Sequence, residues 1–228
     1  MSTYYQDNLF QLLVMSEISV SGNSFKRNIF RYIIEFIIVA FGVFLGTYLN
    51  DMESKKQEIA NQEKALKNII TELENNQQNL QKTINYHELI KVNFDSLLKT
   101  IPEDVLSKNY FENKSFKFVY IKDWVGNGFT EFEDTAFEVS KMSGTLQNMD
   151  IELIQEISKV YNKINSQSEF QSSINNRMTS LNSQSTTYDV IGNIIILTRD
   201  NLGMEKMLSK QLDQSIKNIR EMQYKEAG

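Results

Sequence analysis

The chain contains no cysteine, one proline (Pro102) and one histidine (His87) in 228 residues. Without cysteine there is no disulfide framework and no thiolate metal site. A lone imidazole cannot assemble a structural zinc site either. One proline and only nine glycines favour long helices over an all-β fold. The net charge is −5 and no basic run occurs, which argues against nucleic acid as the main partner. A Walker loop, a dinucleotide fingerprint, G-x-S-x-G and H-E-x-x-H are all missing. The expectation is therefore a protein that is not an enzyme and holds no cofactor or metal.

What the chain does have is one long apolar run. Residues 29–49 read IFRYIIEFIIVAFGVFLGTYL. A helix of that length spans about 31 Å, the thickness of a bilayer's hydrocarbon core. A cleaved signal peptide fits poorly. The run is longer than a usual signal core, starts after 28 residues, and has no A-x-A-like site behind it. The expected organisation is a short N-terminal segment (1–28), a transmembrane helix (29–49), a long juxtamembrane helix (50–102), and the remainder of a helical soluble domain (103–228). Up to residue 50 the charges cancel, Lys26, Arg27 and Arg31 against Asp7, Glu17 and Glu35, so the soluble part carries the negative excess.

In the N-terminal segment, Leu9 to Met15 is apolar but too short to span, and reads as an interfacial helix or a docking segment. Ser21-Gly22-Asn23-Ser24 reads as a break. From Asp51 to about Thr100 no Gly or Pro interrupts a helical pattern. Ile59, Leu66, Leu73, Leu80, His87 and Phe94 fall at one heptad position. The partner position holds Ile69, Ile90 and Leu97, but also Gln62, Asn76 and Thr83. That polar half disfavours a strict two-stranded coiled coil and suits a bundle helix with a broad apolar face.

Beyond Pro102, Phe116 to Ile121 partly alternates and reads as a short strand or a helical turn packed on the bundle. Gly126-Asn127-Gly128 is a turn. A helix is expected from Asp134 to Lys141, with Gly144 as its stop. Ile151 to Ile164 forms an apolar helical face that can extend to about Ser183. Tyr188 to Leu197 is a core helix, and Met204 to Tyr224 a last amphipathic helix carrying Met204, Met207, Leu208 and Leu212. The fold class is all-α: a transmembrane helix continuing into a long helix, then a helical bundle.

The stretch from Glu35 through Gly42 to Asn50, EFIIVAFGVFLGTYLN, resembles the anchor of a family of uncharacterised single-pass bacterial membrane proteins. That anchor reads G-E-I-x-L-V-V-I-G-I-L-I-A-L-x-I-N-N-W. Glu35, Gly42 and Asn50 fall on its glutamate, central glycine and first asparagine. Ile34 replaces its first glycine, and Asp51-Met52 replaces the tryptophan region. A second likeness lies in Thr135 to Leu146, TAFEVSKMSGTL, followed by a helix carrying Val160-Tyr161. The likeness covers Arg27 to about Lys163. It implies a membrane anchor and a helical domain and brings no activity with it.

Within the span, Glu35, Val39, Gly42, Gly46, Leu49 and Asn50 lie within about a 100° arc. A glycine pair four residues apart lets two helix backbones approach closely, with polar groups at both ends of the face. Glycine is also simply common in membrane helices. Glu35 sits roughly 9 Å into the span, where Arg31 at i−4 can pair with it. It can serve as an inter-subunit hydrogen-bonding group, a snorkelling residue or a proton-path group. His87 reads as a partly buried bundle residue. Glu131, Glu133 and Asp134 read as a solvated turn and helix N-terminus, and Trp124, Phe129 and Phe132 as core.

The function expected is a membrane-anchored helical interaction module, a scaffold or sensor that self-associates through its transmembrane and proximal helices. The alternative is a subunit of an ion- or proton-conducting assembly using Glu35. The expected partners are membrane lipid, a second copy of the chain, and other proteins of a membrane complex. Three Lys/Arg at the start of the span stand against four behind it by Lys67, so charge nearly balances. The upstream ones lie closer to the membrane edge, and the expectation is an N-terminus in the cytoplasm and the domain outside, in a bacterial inner membrane.

Overall fold

The computed structural model describes residues 28–223; its first and last helices carry bounds beyond them. The apolar patch at Leu9–Met15 and the expected break at Ser21–Ser24 lie outside the described residues. The chain divides into two units, at 1–59 and 60–228.

The first unit consists of helix α1 (Tyr4–Leu98) up to Ile59. Within it one stretch is long and apolar enough to cross a membrane, and none of that stretch is buried in the chain's own fold. All described residues from Asn28 to Ile59 are exposed, including Phe36, Phe41, Phe44 and Leu49. Within it Arg31 Nε donates to Glu35 Oε1 at 2.9 Å, and the Thr47 hydroxyl donates to the carbonyls of Val43 and Phe44.

The second unit is an all-α bundle with four members. The first is α1 from residue 60, which ends at Leu98 just before Pro102, where a missing N–H and a fixed φ forbid continuation. The second runs back along it and is mostly irregular. It contains α2 (Glu103–Leu106), a 3₁₀ turn at Phe118–Tyr120, α3 (Thr135–Met142) and a second 3₁₀ turn at Leu146–Asn148. The third is α4 (Ile151–Thr179), started by Asp150, whose carboxylate accepts from the amides of Glu152 and Leu153. The fourth runs through α5 (Thr187–Ile195), a π-helical turn (Ile196–Asn201) and α6 (Leu202–Glu226). A capping box of Thr186 and Asp189 opens it. Among the described residues no strand forms, and the one isolated bridge pairs Asn109 with Thr186.

Cross-links fix the directions. Glu72 meets Tyr161, and Gln167 further along α4 reaches, through Asn201, the Glu205 that meets His87 further along α1, so α4 ascends with α1. Glu74 meets Arg220 and Glu88 meets Lys206, so α6 descends. The larger core joins Leu66, Leu73 and Leu80 of α1 to Leu153, Ile157 and Ile164 of α4 and Leu208 and Leu212 of α6. A second cluster at the far end holds Ile90, Phe94, Phe116, Ile121 and Val190.

Several expectations shift in detail. Phe118–Tyr120 is the helical turn rather than a strand. The two last helices are one continuous run, because Leu197, Asn201, Leu202 and Glu205 are all buried across the expected gap, joined through the π turn. That extra residue rotates the following face. Met204 and Met207 point outward, and Glu205, Leu208 and Leu212 point inward. Ile151 and Tyr188 are exposed at helix starts, and His87 is fully rather than partly buried.

Candidate functional site

An irregular chain packed on a helix brings backbone amides and carbonyls that no ladder satisfies. In this bundle α1 supplies the partners from its side chains. The Asn76 amide donates to the Glu133 carbonyl at 2.7 Å and accepts from the Glu133 N–H at 2.8 Å. The Tyr86 hydroxyl donates to the Gly126 carbonyl at 2.7 Å and accepts from the Val125 N–H. Asn93 donates to the Lys122 carbonyl and Gln62 to the Asn148 carbonyl. Burial pushes the Tyr86 phenol up from its ordinary value.

Glu72 is the most loaded of these side chains. It is buried, and its carboxylate accepts from the Ala136 N–H at 2.6 Å, the Phe137 N–H at 3.4 Å and the Tyr161 hydroxyl at 2.5 Å. The N-cap residue Asp134 makes no side-chain cap bond of its own. Glu72 therefore caps α3 from another element, with the helix N-terminus and a phenol compensating its charge. Tyr161 stacks on Phe137 with centroids 4.2 Å apart, and burial followed by Glu72 pushes its phenol far above the usual range. Beside this cluster an open groove of 630 Å³ runs between α1 and α3, lined by Lys64, Asn68, Thr71, Val139 and Ser140.

The second polar centre lies deeper and draws on every member of the bundle. His87 of α1 and Glu205 of α6 are both 0% exposed, with Nδ1 2.8 Å from Oε2. His87 Nε2 lies 2.6 Å from the Asn127 carbonyl oxygen. Asn201, in the π turn, donates to Glu205 Oε1 at 2.7 Å, and Gln167 of α4 donates to Asn201 Oδ1 at 2.9 Å. The ring of Phe129 meets the imidazole edge-on, and the Tyr86 ring lies tilted against it at 5.5 Å between centroids. Gly128 sits at φ +65° with its missing Cβ against the Tyr86 ring, so this loop position needs glycine twice over.

The residues singled out from sequence lie elsewhere. Arg31, Glu35, Gly42, Gly46 and Asn50 all sit on the uncovered part of α1, and Arg31 and Glu35 meet as an ion pair. A Cβ built at Gly42 or Gly46 meets nothing within 4 Å among the described residues. Glu131, Glu133 and Asp134 are exposed in the irregular segment that leads into α3. Glu72, Glu205, Asn201 and Gln167 were not legible as a site. The available signal was polar residues at inward heptad positions, Asn76, Thr83 and His87, which are buried. No group of three or more metal-ligating side chains forms among the described residues. In comparisons with protein-family models, curated proteins and solved structures, none matched the chain.

Proposed function

We propose that this protein is a membrane-anchored helical interaction module that self-associates through its span, serving as a scaffold or sensor whose bundle binds partners. The observation that carries the reading is the exposure of every described residue from Asn28 to Ile59. An apolar helix face of that length needs lipid or another helix against it. Gly42 and Gly46 add to this. Both are helical with open space where a Cβ would sit, so the chain's own fold gives no reason for glycine there. Close approach of a second span does. The Arg31–Glu35 pair supports a structural role for Glu35 at the edge of the span over a proton path. The anchor likeness at Glu35, Gly42 and Asn50 supports a bacterial inner membrane, with the N-terminus inside and the bundle outside.

Gly46→Ile tests the reading. It puts a branched side chain where two backbones would meet, and crosslinking of the full chain in membranes should fall severalfold. Unchanged crosslinking, repeated with the bundle removed to exclude its contribution, rejects the span as the contact.

A further inference from the structure

The hydrogen bonds around His87 fix a proton count. The Asn127 carbonyl can only accept, so Nε2 carries a hydrogen. A second hydrogen lies between Nδ1 and Glu205 Oε2, on one atom or the other. The site is neutral overall either way, as imidazolium with carboxylate or imidazole with carboxylic acid. Glu205 Oε1 accepts from the Asn201 N–H, so a further proton there would compete with that bond and leave the site positive. Removal of the shared proton would set a lone pair against a buried carboxylate. Both changes leave uncompensated charge in a place with no water access.

Groups facing the pair from each packed element add no charge. α4 presents Gln167, the descending segment presents Asn127 and Phe129, and α6 presents Asn201. On α1 the neighbouring titratable group is the Tyr86 phenol, raised by burial. Lys206 and Glu88, adjacent in sequence, pair with each other at the surface at 2.6 Å.

We propose that His87 and Glu205 form a proton-held clasp between the first and last members of the bundle, tightest at mildly acid pH and loosened on either side. The sign follows from counting protons. Closed, the site holds one shared proton. Open to water, a free imidazole titrates near 6.5 and a free carboxylate near 4.3. Above about pH 6.5 opening releases a proton, so rising pH favours the open form about tenfold per unit. Between those values opening exchanges none. Below about 4.3 it takes one up, and acid favours opening. Acidification from about pH 8.5 to 6.5 therefore tightens the clasp about fiftyfold. Opening would part α1 from α6 and free the loop that Asn127 ties down.

Glu205→Gln makes the test sharp. The amide can still donate to Nδ1 and accept from Asn201, but its closed form holds no shared proton. Opening constants are read from urea unfolding of the full chain in detergent, followed by circular dichroism from pH 5 to 8. Their ratio between native and variant chains cancels the other titrating groups. That ratio should change about tenfold per pH unit, close to a thousandfold across the range. A constant ratio overturns the clasp. An independent reading comes from nitrogen NMR of the imidazole, unambiguous because the chain has one histidine. Signals from the native chain should stay fixed from pH 5 to 8 with Nε2 protonated. An imidazole that titrates near 6.5 while the bundle stays folded overturns it as well, whether or not the variant folds.

Discussion

Glu35 and Glu205 each pair with a cation-forming side chain, at 2.9 and 2.8 Å, yet they belong to opposite kinds of structure. The first is a within-helix pair to Arg31 on an uncovered helix, with both side chains more than half exposed. The second joins two bundle members separated by 118 residues and is wholly excluded from solvent. An uncovered pair can rearrange when a partner is lost. A buried one cannot, because any unmatched charge stays in the low-dielectric interior. In the first unit polar groups therefore decorate a surface, while in the second they determine which segments meet.

The largest effect that would sharpen this contrast is separation of the two units. A chain lacking residues 29–49 should move fully from membrane pellet to supernatant after alkaline carbonate washing while its circular dichroism stays mostly helical. A membrane-retained or unfolded product would break the division. Next comes Glu72→Ala, which strips the cap from α3 and orphans two amides and a buried hydroxyl. Urea unfolding should show about 3 kcal/mol lost, and a loss near zero would deny Glu72 its role in the seam. Gly128→Ala should cost about 2 kcal/mol, from the left-handed backbone and the contact with Tyr86.

Smaller effects belong to the surface. The Thr186 amide and hydroxyl hold the Asp189 carboxyl below its ordinary value of 3.8. The sign is that of a depressed carboxylate: its contribution is present above about pH 4 and is lost as pH falls through the lowered value. The group is solvent-screened, so Asp189→Ala should lower the melting temperature only slightly at pH 7, and by less as pH falls through that lowered value. Smallest of all, Glu35→Gln should leave crosslinked assembly unchanged, since the amide keeps the shape and sheds a charge that is costly in lipid. Loss of assembly would place Glu35 in a contact as demanding as that of Glu205.

Much of the architecture was legible in the order of residues. The 21 apolar residues at 29–49, the absence of Pro before position 102, and the repeat through Leu66, Leu73 and Leu80 are local, periodic facts, and helices follow local periodicity. The stop at Gly144, with φ +74°, was equally local. The polar heptad positions were visible too, but their meaning was not. Asn76 and His87 looked like weak points in an apolar stripe. They are instead hydrogen-bond partners, Asn76 for backbone 57 residues away and His87 for backbone 40 residues away and for a glutamate 118 residues away.

What the sequence alone determined is the presence of an apolar helix long enough to cross a membrane and of helices enough to bury a core. Tertiary structure alone decided that the second bundle member is irregular and that α1's side chains serve its backbone. It also decided that one extra residue in a π turn aims Asn201 and Glu205 inward at His87. The physical reason is range. Helix formation is set by neighbours within a turn, whereas the satisfaction of a buried polar atom depends on whichever distant segment the closed core brings within about 3 Å.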